Sequence, residues 1–260
     1  MIIDLPDAQN LVTVEGWLTN FNEIQSVRLT RSNSFAINEP VTPITNAVVT
    51  VQSKTGNTFN FRHEADGHYR SNESFGGEFG VEYQVRIQLS EENTIRSEWE
   101  QMLQPVPIDG LFVDSFEEND PDNPNQQFTV FFPRISAIDP EGERNFYRWR
   151  FLQNGEIYDE PETITIQDDR FFDGNVIPNN FRSFGYDTGD EIITEFQNIN
   201  EEAYNYLSLL KSQITSLGTS TGTTPAFVQG NLTYFRSEVD EQVLGYFGTV
   251  AISKDTVVVE

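Results

Sequence analysis

The sequence predicts a mainly β protein of two sandwich-like domains, the N-terminal one of immunoglobulin or transthyretin type and the C-terminal one carrying a single helix at about 200–217. Three observations predict it. Residues 81–89 alternate strictly, with Val81, Tyr83, Val85, Ile87 and Leu89 on one face and Glu82, Gln84, Arg86 and Gln88 on the other, the period-two signature of a half-buried strand. Weaker runs of the same kind fall at 11–19, 26–31, 47–53, 58–62, 67–70 and 94–100, and strands at this spacing, separated by turn residues, build a sandwich. The stretch QMLQPVPIDGL, from Gln101 to Leu111, then places two prolines close together; each removes an amide donor and drives the preceding residue towards extended geometry. That is a connector, so the expected domains are 1–103 and 111–260, joined by 104–110.

Within the first domain, Gly56-Asn57 marks a hairpin turn and Asp66-Gly67 a second one. The glycine-rich GGEFG at 76–80 precedes a strand and not a helix, so it reads as a tight β-turn and not as a phosphate cradle. In the second domain, strands are expected at 111–116, 127–133, 146–152, 162–167, 191–197, 226–235, 244–252 and 256–259. The strand at 146–152 sets Tyr147, Trp149 and Phe151 against Arg148 and Arg150; the aromatics read as core and the arginines as partners for nearby acids. The helix is marked by Asn198 or Asn200 as acceptor for its free amides, by Glu201 and Glu202 at the positive end of its dipole, and by Ala203, Tyr206, Leu207, Leu210 and Ile214 at helical spacing. Gly218 ends it, and the small polar stretch 215–225 reads as a mobile loop.

Composition narrows the function. The 260 residues include 16 basic and 41 acidic side chains, a net charge of −25, with two histidines and no cysteine. Disulfides, thiolate zinc sites, iron–sulfur clusters and cysteine nucleophiles are excluded, and two histidines cannot build a three-histidine zinc site. An antibody-type disulfide domain is excluded with them. So negative a chain repels phosphate backbones and anionic headgroups, which argues against nucleic acid as a partner and leaves cationic or metal-bearing cargo open. Of the charge, −18 lies in 104–260, which holds 27 acidic and 9 basic residues. No apolar run reaches the roughly 20 residues that span a bilayer, and MIIDLPDAQN lacks the basic segment and apolar core of a signal peptide, so a soluble chain is expected.

The candidate chemistry is sparse. His63 and His68 flank a turn, but on a strand pair they fall on opposite faces unless the register favours them, so an ordinary hairpin is the simpler reading. Calcium prefers several oxygens gathered from a flexible segment, and the acidic loops offer them. Asp120 and Asp122 in the segment EENDPDNPNQQ, and Asp168, Asp169 and Asp173 in DDRFFDGN, are the candidate calcium ligands; Asp187 and Asp190 in DTGDE are a third pair. None has EF-hand spacing, and a solvated acidic surface is the simpler reading of each loop. No G-x-S-x-G elbow is present, and 41 acids supply too many carboxylate pairs to single out a hydrolytic one. Neither catalytic residues nor a bound cofactor is expected.

A series of segments resembles one family along nearly the whole chain. LVTVEGWLTN (Leu11–Asn20), the AVVTVQ strand, GHYRSNESFGGEFGVEYQVRI and PVPIDGLFV make up the first half of the match, and FYRWRFLQNG, Gly189-Asp190, AYNYLSLL, Gly230-Asn231 and VLGYFGTVAIS the second. Together and in this order they are similar to the Bacteroidetes family of domain of unknown function 4249. The resemblance implies a lipoprotein of the cell envelope, exported and tethered to the outer membrane by a cysteine upstream of the folded part. It further implies an accessory role beside a TonB-dependent outer-membrane receptor, because family members tend to be encoded next to one. This chain begins at Met1 with neither export signal nor cysteine, as a chain trimmed after the lipidation site would, so the anchor follows from the resemblance alone. Gly16, Trp17, Trp149, Gly189 and Gly245 in the shared motifs read as structural. The expected function is therefore a non-enzymatic, outer-membrane-associated binding or accessory component of TonB-dependent uptake, with a small ligand or cargo of unknown identity. The alternative is a calcium-dependent cell-surface adhesion or structural β-module.

Overall fold

The computed structural model describes residues 10–33, 41–119, 123, 125–157, 164–179, 181–182, 185–216, 228–236 and 242–260. The protein is mainly β, with a single helix among the described residues. The strands of the N-terminal stretch are β1 (Val12–Thr19), β2 (Ser26–Arg31), β3 (Thr42–Pro43), β4 (Val48–Ser53), β5 (Thr58–Ala65), β6 (His68–Ser71), β7 (Glu82–Gln88), β8 (Thr94–Ser97) and β9 (Glu100–Gln101). There follow β10 (Gly110–Asn119), β11 (Gln127–Ser136), β12 (Phe146–Gln153), β13 (Glu156–Ile157), β14 (Thr165–Asp168) and β15 (Glu191–Ile199). The helix α1 (Glu201–Ser216), β16 (Leu232–Arg236) and β17 (Leu244–Val258) complete the chain.

Two compact units form, and the first is discontinuous: Met1–Gln104 joins Ile199–Ala251, while Pro105–Asn198 joins Ile252–Glu260. One boundary falls between Gln104 and Pro105, and residues 199–251, with the helix, group with the first unit although they follow the second in sequence. The reason is a parallel pairing: β1 runs beside the first half of β17, from Thr13 opposite Leu244 to Thr19 opposite Val250. A parallel neighbour can come from anywhere along the chain, and local periodicity says nothing about which strand it will be.

In the first unit the hydrogen-bonded order is β17-β1-β2-β6-β5-β4-β7-β8-β16, with β3 on β2 and β9 on β7. Alternation along these strands sends Val14, Leu29, Val49, Val85, Ile87, Ile95 and Phe247 into one core. Asp66 and Gly67 take φ of 48° and 81°, the paired left-handed geometry of a two-residue hairpin turn between β5 and β6. In that hairpin His63 pairs with Tyr69 and rests edge-on against its ring, while His68 lies opposite Ala65. Trp17 stacks on Tyr246, with ring centroids 5.5 Å apart, and Tyr206 of α1 stacks on Tyr246 at 4.9 Å. Ala203 and Leu207 are buried on the same stripe of the helix that the sequence marks as apolar.

The second unit contains the antiparallel pair β10–β11 and the order β13-β12-β15-β17, with β14 also on β12. Tyr147, Trp149 and Phe151 are core as expected, gathered with Phe172, Phe181 and Phe196; Trp149 lies flat on Phe196 at 4.0 Å between centroids. Arg150 pairs with Glu195 at 3.5 Å, which agrees with the reading of that strand's basic face. The expected strands at 244–252 and 256–259 fall in one continuous strand, Leu244–Val258, because Ser253 to Asp255 keep the extended geometry and no glycine or proline interrupts them. Gly218 and residues 217–225 of the expected loop lie outside the described residues, whereas 215 and 216 still belong to α1.

Candidate functional site

The most unusual polar group in the first unit is the Glu100 carboxyl, 4% exposed on the short strand β9, opposite Tyr83. A carboxyl that far from water needs donors, and three side chains distant in sequence supply them. Tyr246 donates its hydroxyl to Oε1, Asn231 donates Nδ2 to the same oxygen at 3.2 Å, and Asn200 donates Nδ2 to Oε2 at 2.7 Å. Each donor is itself held. Asn231 accepts from the Phe247 amide at 3.1 Å and donates to the Phe247 carbonyl at 2.7 Å, so its side chain substitutes for a neighbouring strand. It can do so because Gly230 precedes it: a Cβ there would sit 1.7 Å from the Gly245 carbonyl oxygen. Asn200, at the start of α1, also donates to the Gln101 carbonyl at 3.0 Å, and its own carbonyl accepts the first helical hydrogen bond, from Tyr204.

Burial pushes the Glu100 carboxyl up to about 7; the Tyr246 hydrogen bond opposes this and the nearby charge of Glu202 adds to it. Tyr246 is held well above the usual phenol range, first by burial and then by Glu100, so it remains the donor. Tyr206 beneath it is pushed up to about 12, mainly by burial.

Glu100, Asn200 and Asn231 form one wall of a cleft of about 540 Å³, within the range of small-molecule sites. Glu82, Glu98, Glu202 and Trp99 line the remainder. Glu82 is neutralised by Lys54, whose Nζ lies 2.7 Å from both of its carboxylate oxygens and 5.4 Å from the Trp99 ring centre. Among the described residues neither Glu98 nor Glu202 has a basic partner. The cleft therefore offers carboxylate and amide groups and an indole face, with two carboxylates whose charge no cation offsets.

In the second unit the expected calcium ligands Asp168, Asp169 and Asp173 are each engaged by a donor. Asp168 accepts from Arg170 Nε at 2.8 Å, Asp169 accepts from the Asn145 amide at 2.6 Å, and Asp173 accepts from the Gly142 amide at 2.7 Å. Among the described residues no group of three histidine or carboxylate side chains is placed to hold a metal ion. Asp120 and Asp122 lie outside the described residues. A carboxylate that sequence reasoning passed over, Asp139, accepts the Tyr147 hydroxyl on Oδ1 and the Gly174 amide on Oδ2 at 3.1 Å. Burial holds Asp139 above its usual range, against the pull of the Tyr147 hydrogen bond. Replacing Asp139 with alanine strands a buried phenol and a backbone amide, and should cost roughly 2–4 kcal/mol in urea unfolding, with the m-value unchanged. A cost below about 0.5 kcal/mol would show that water replaces the carboxylate without penalty.

Glu100 was also missed. Strict alternation through 94–100 groups it with Arg96 and Glu98 on the wet face, but β8 ends at Ser97 and β9 begins at Glu100, and the interruption turns Glu100 inwards. Asn200 is legible in the sequence as a helix cap and Asn231 as part of a Gly-Asn pair, but nothing in their spacing says that they converge on a buried carboxyl.

The model of the family described as Domain of unknown function (DUF4249) matches residues 2–256, and the chain belongs to that family. No match is found among curated proteins. Gly230-Asn231 and the stretch 243–249, both within the matched residues, supply the Asn231 and Tyr246 contacts to Glu100. No described helix is long and apolar enough to cross a membrane.

Proposed function

We propose that the protein is a non-enzymatic, outer-membrane-associated lipoprotein acting as the binding or accessory component of a TonB-dependent uptake system. The observation that carries this reading is the cleft of the first unit, a preformed concavity whose walls are held by strand backbone and a buried hydrogen-bond network. Preorganised walls suit recognition, since little ordering entropy is lost when a ligand arrives. The Glu100 carboxyl is poised near neutrality, but both of its oxygens are engaged by Tyr246, Asn231 and Asn200, which favours binding over proton transfer to a substrate. The envelope setting and the receptor as partner are what the resemblance to this family implies.

The test is capture from native membranes. The full-length natural chain, tagged and cross-linked in its own host, should recover a TonB-dependent receptor, identified by mass spectrometry and depleted when the neighbouring receptor gene is deleted. Recovery of no outer-membrane receptor, with the protein found free of the membrane fraction, would overturn the proposal.

A further inference from the structure

The reading of this chain as a binding component leaves its ligand open, and the inference drawn here rests on that reading. We propose that the cleft of the first unit takes an organic cation, an ammonium or guanidinium group carried on an apolar stem, with the stem and charge against Trp99 and the charge facing Glu98 and Glu202.

Four features support this class of ligand over others. The first is the chain's own Lys54, an ammonium placed 5.4 Å from the Trp99 ring centre and 2.7 Å from both oxygens of Glu82. Indole beside carboxylate is the combination that recognises an alkylammonium, the ring quadrupole and the formal charge acting together. The second is that the lysine neutralises Glu82 only; Glu98 and Glu202 face the same cleft with no basic partner among the described residues. A cation entering the cleft removes a repulsion that the free protein carries. The third is that Asn200, Asn231 and Gln101 supply amide groups to the lining, which contains no arginine, lysine or histidine, and the adjacent Lys54 is already neutralised by Glu82. The start of α1 lies at this wall, but Glu201 and Glu202 occupy its first turn and offset the positive end of the helix. The fourth is size: about 540 Å³ is far more than a bare metal ion needs, and no group of three histidine or carboxylate side chains among the described residues is placed to chelate one.

The experiment uses the purified chain and four probes that each carry a four-carbon chain: n-butylammonium, n-butylguanidinium, n-butanol and butyrate. Binding is read by the indole resonances in NMR and by calorimetry. Both cations should saturate with dissociation constants on the order of millimolar, as befits fragments of this size, and weaken when salt is raised. Butanol and butyrate should not saturate. Trp99→Ala should raise the dissociation constant of the cations roughly 3- to 30-fold. The double variant Glu98→Gln/Glu202→Gln should weaken the cations and leave butanol unaffected, while Lys54→Met, which removes the competing ammonium and frees Glu82, should tighten them. If Trp99→Ala melts early, Trp99→Phe and the double glutamine variant carry the comparison, since both preserve shape. The proposal is overturned if butanol or butyrate binds as well as the cations, or if the double glutamine variant binds them as tightly as the natural chain. Cation binding that persists where no receptor is captured would sink the uptake role alone; receptor capture without cation binding would sink this assignment alone.

Discussion

Replacing Gly245 with alanine should destabilise the first unit by on the order of 4 kcal/mol, among the largest losses a single methyl group can cause in this protein. Gly245 sits in β17 with φ of 90°, opposite Val14 of β1, and a Cβ built there lies 1.9 Å from the Val14 carbonyl oxygen. The left-handed geometry alone costs roughly 1–3 kcal/mol for a residue with a side chain. The remainder arises because the obstacle is backbone: no rotamer change relieves it, so the parallel pair must part at its start and release part of its hydrogen-bond ladder. Gly142 provides the control. It has φ of 80° and nothing within 4 Å of the added atom, so Gly142→Ala should show only the conformational cost, about 1 kcal/mol. Urea unfolding of the two variants side by side separates strain from collision. Equal losses would show that β17 does not lie against β1 as described.

The second large effect is a dependence of stability on pH carried by Glu100. Its carboxyl is raised from an ordinary 4.5 to about 7 in the folded protein, so between these values the folded state holds a proton that the unfolded chain has released. Stability from this group is therefore fully present below about pH 4.5 and declines as pH rises through 7, beyond which the cost of burying the charge is complete. At about 1.4 kcal/mol per pH unit, the decline amounts to roughly 3 kcal/mol. Other acids act in the opposite sense. Asp190, lowered by the Asp187 amide and then by Asn154 and Gln153, contributes above its unfolded value and loses that contribution as pH falls. The natural chain should therefore be compared with Glu100→Gln, a variant that keeps the shape and cannot ionise. The stability of the natural chain minus that of the variant should fall by roughly 3 kcal/mol between pH 4.5 and 7.5 and then level off. A flat difference across that range would mean that the Glu100 side chain reaches water after all.

Much of the fold could be read from residue order, and the exceptions share a cause. The alternation at 81–89 became β7, Asp66-Gly67 became a left-handed hairpin turn, and the apolar stripe from Ala203 to Ile214 became α1, because each signal lies within a single element. What escaped was every feature made by residues far apart. The parallel pairing of β1 with β17 joins strands at the two ends of the chain, and the helix groups with the first unit. The four residues joined at the Glu100 carboxyl come from positions 100, 200, 231 and 246, and no window along the chain contains them. The reversal of Glu100 from the wet face to the core depends on a break between Ser97 and Glu100 that the residue types there do not announce.

The partnership of Val12–Thr19 with the chain near Leu244–Val250 has a consequence in time. A ribosome adding roughly 5–20 residues per second needs some 10 to 50 seconds to make the later strand after the earlier one has emerged. Throughout that interval one flank of β1 has no mate and the Phe247 position in its core is vacant. Maturation of this unit is thus a post-synthetic event, and a holdase that shields nascent β1 should raise yield more than any change that merely speeds the closing of local hairpins.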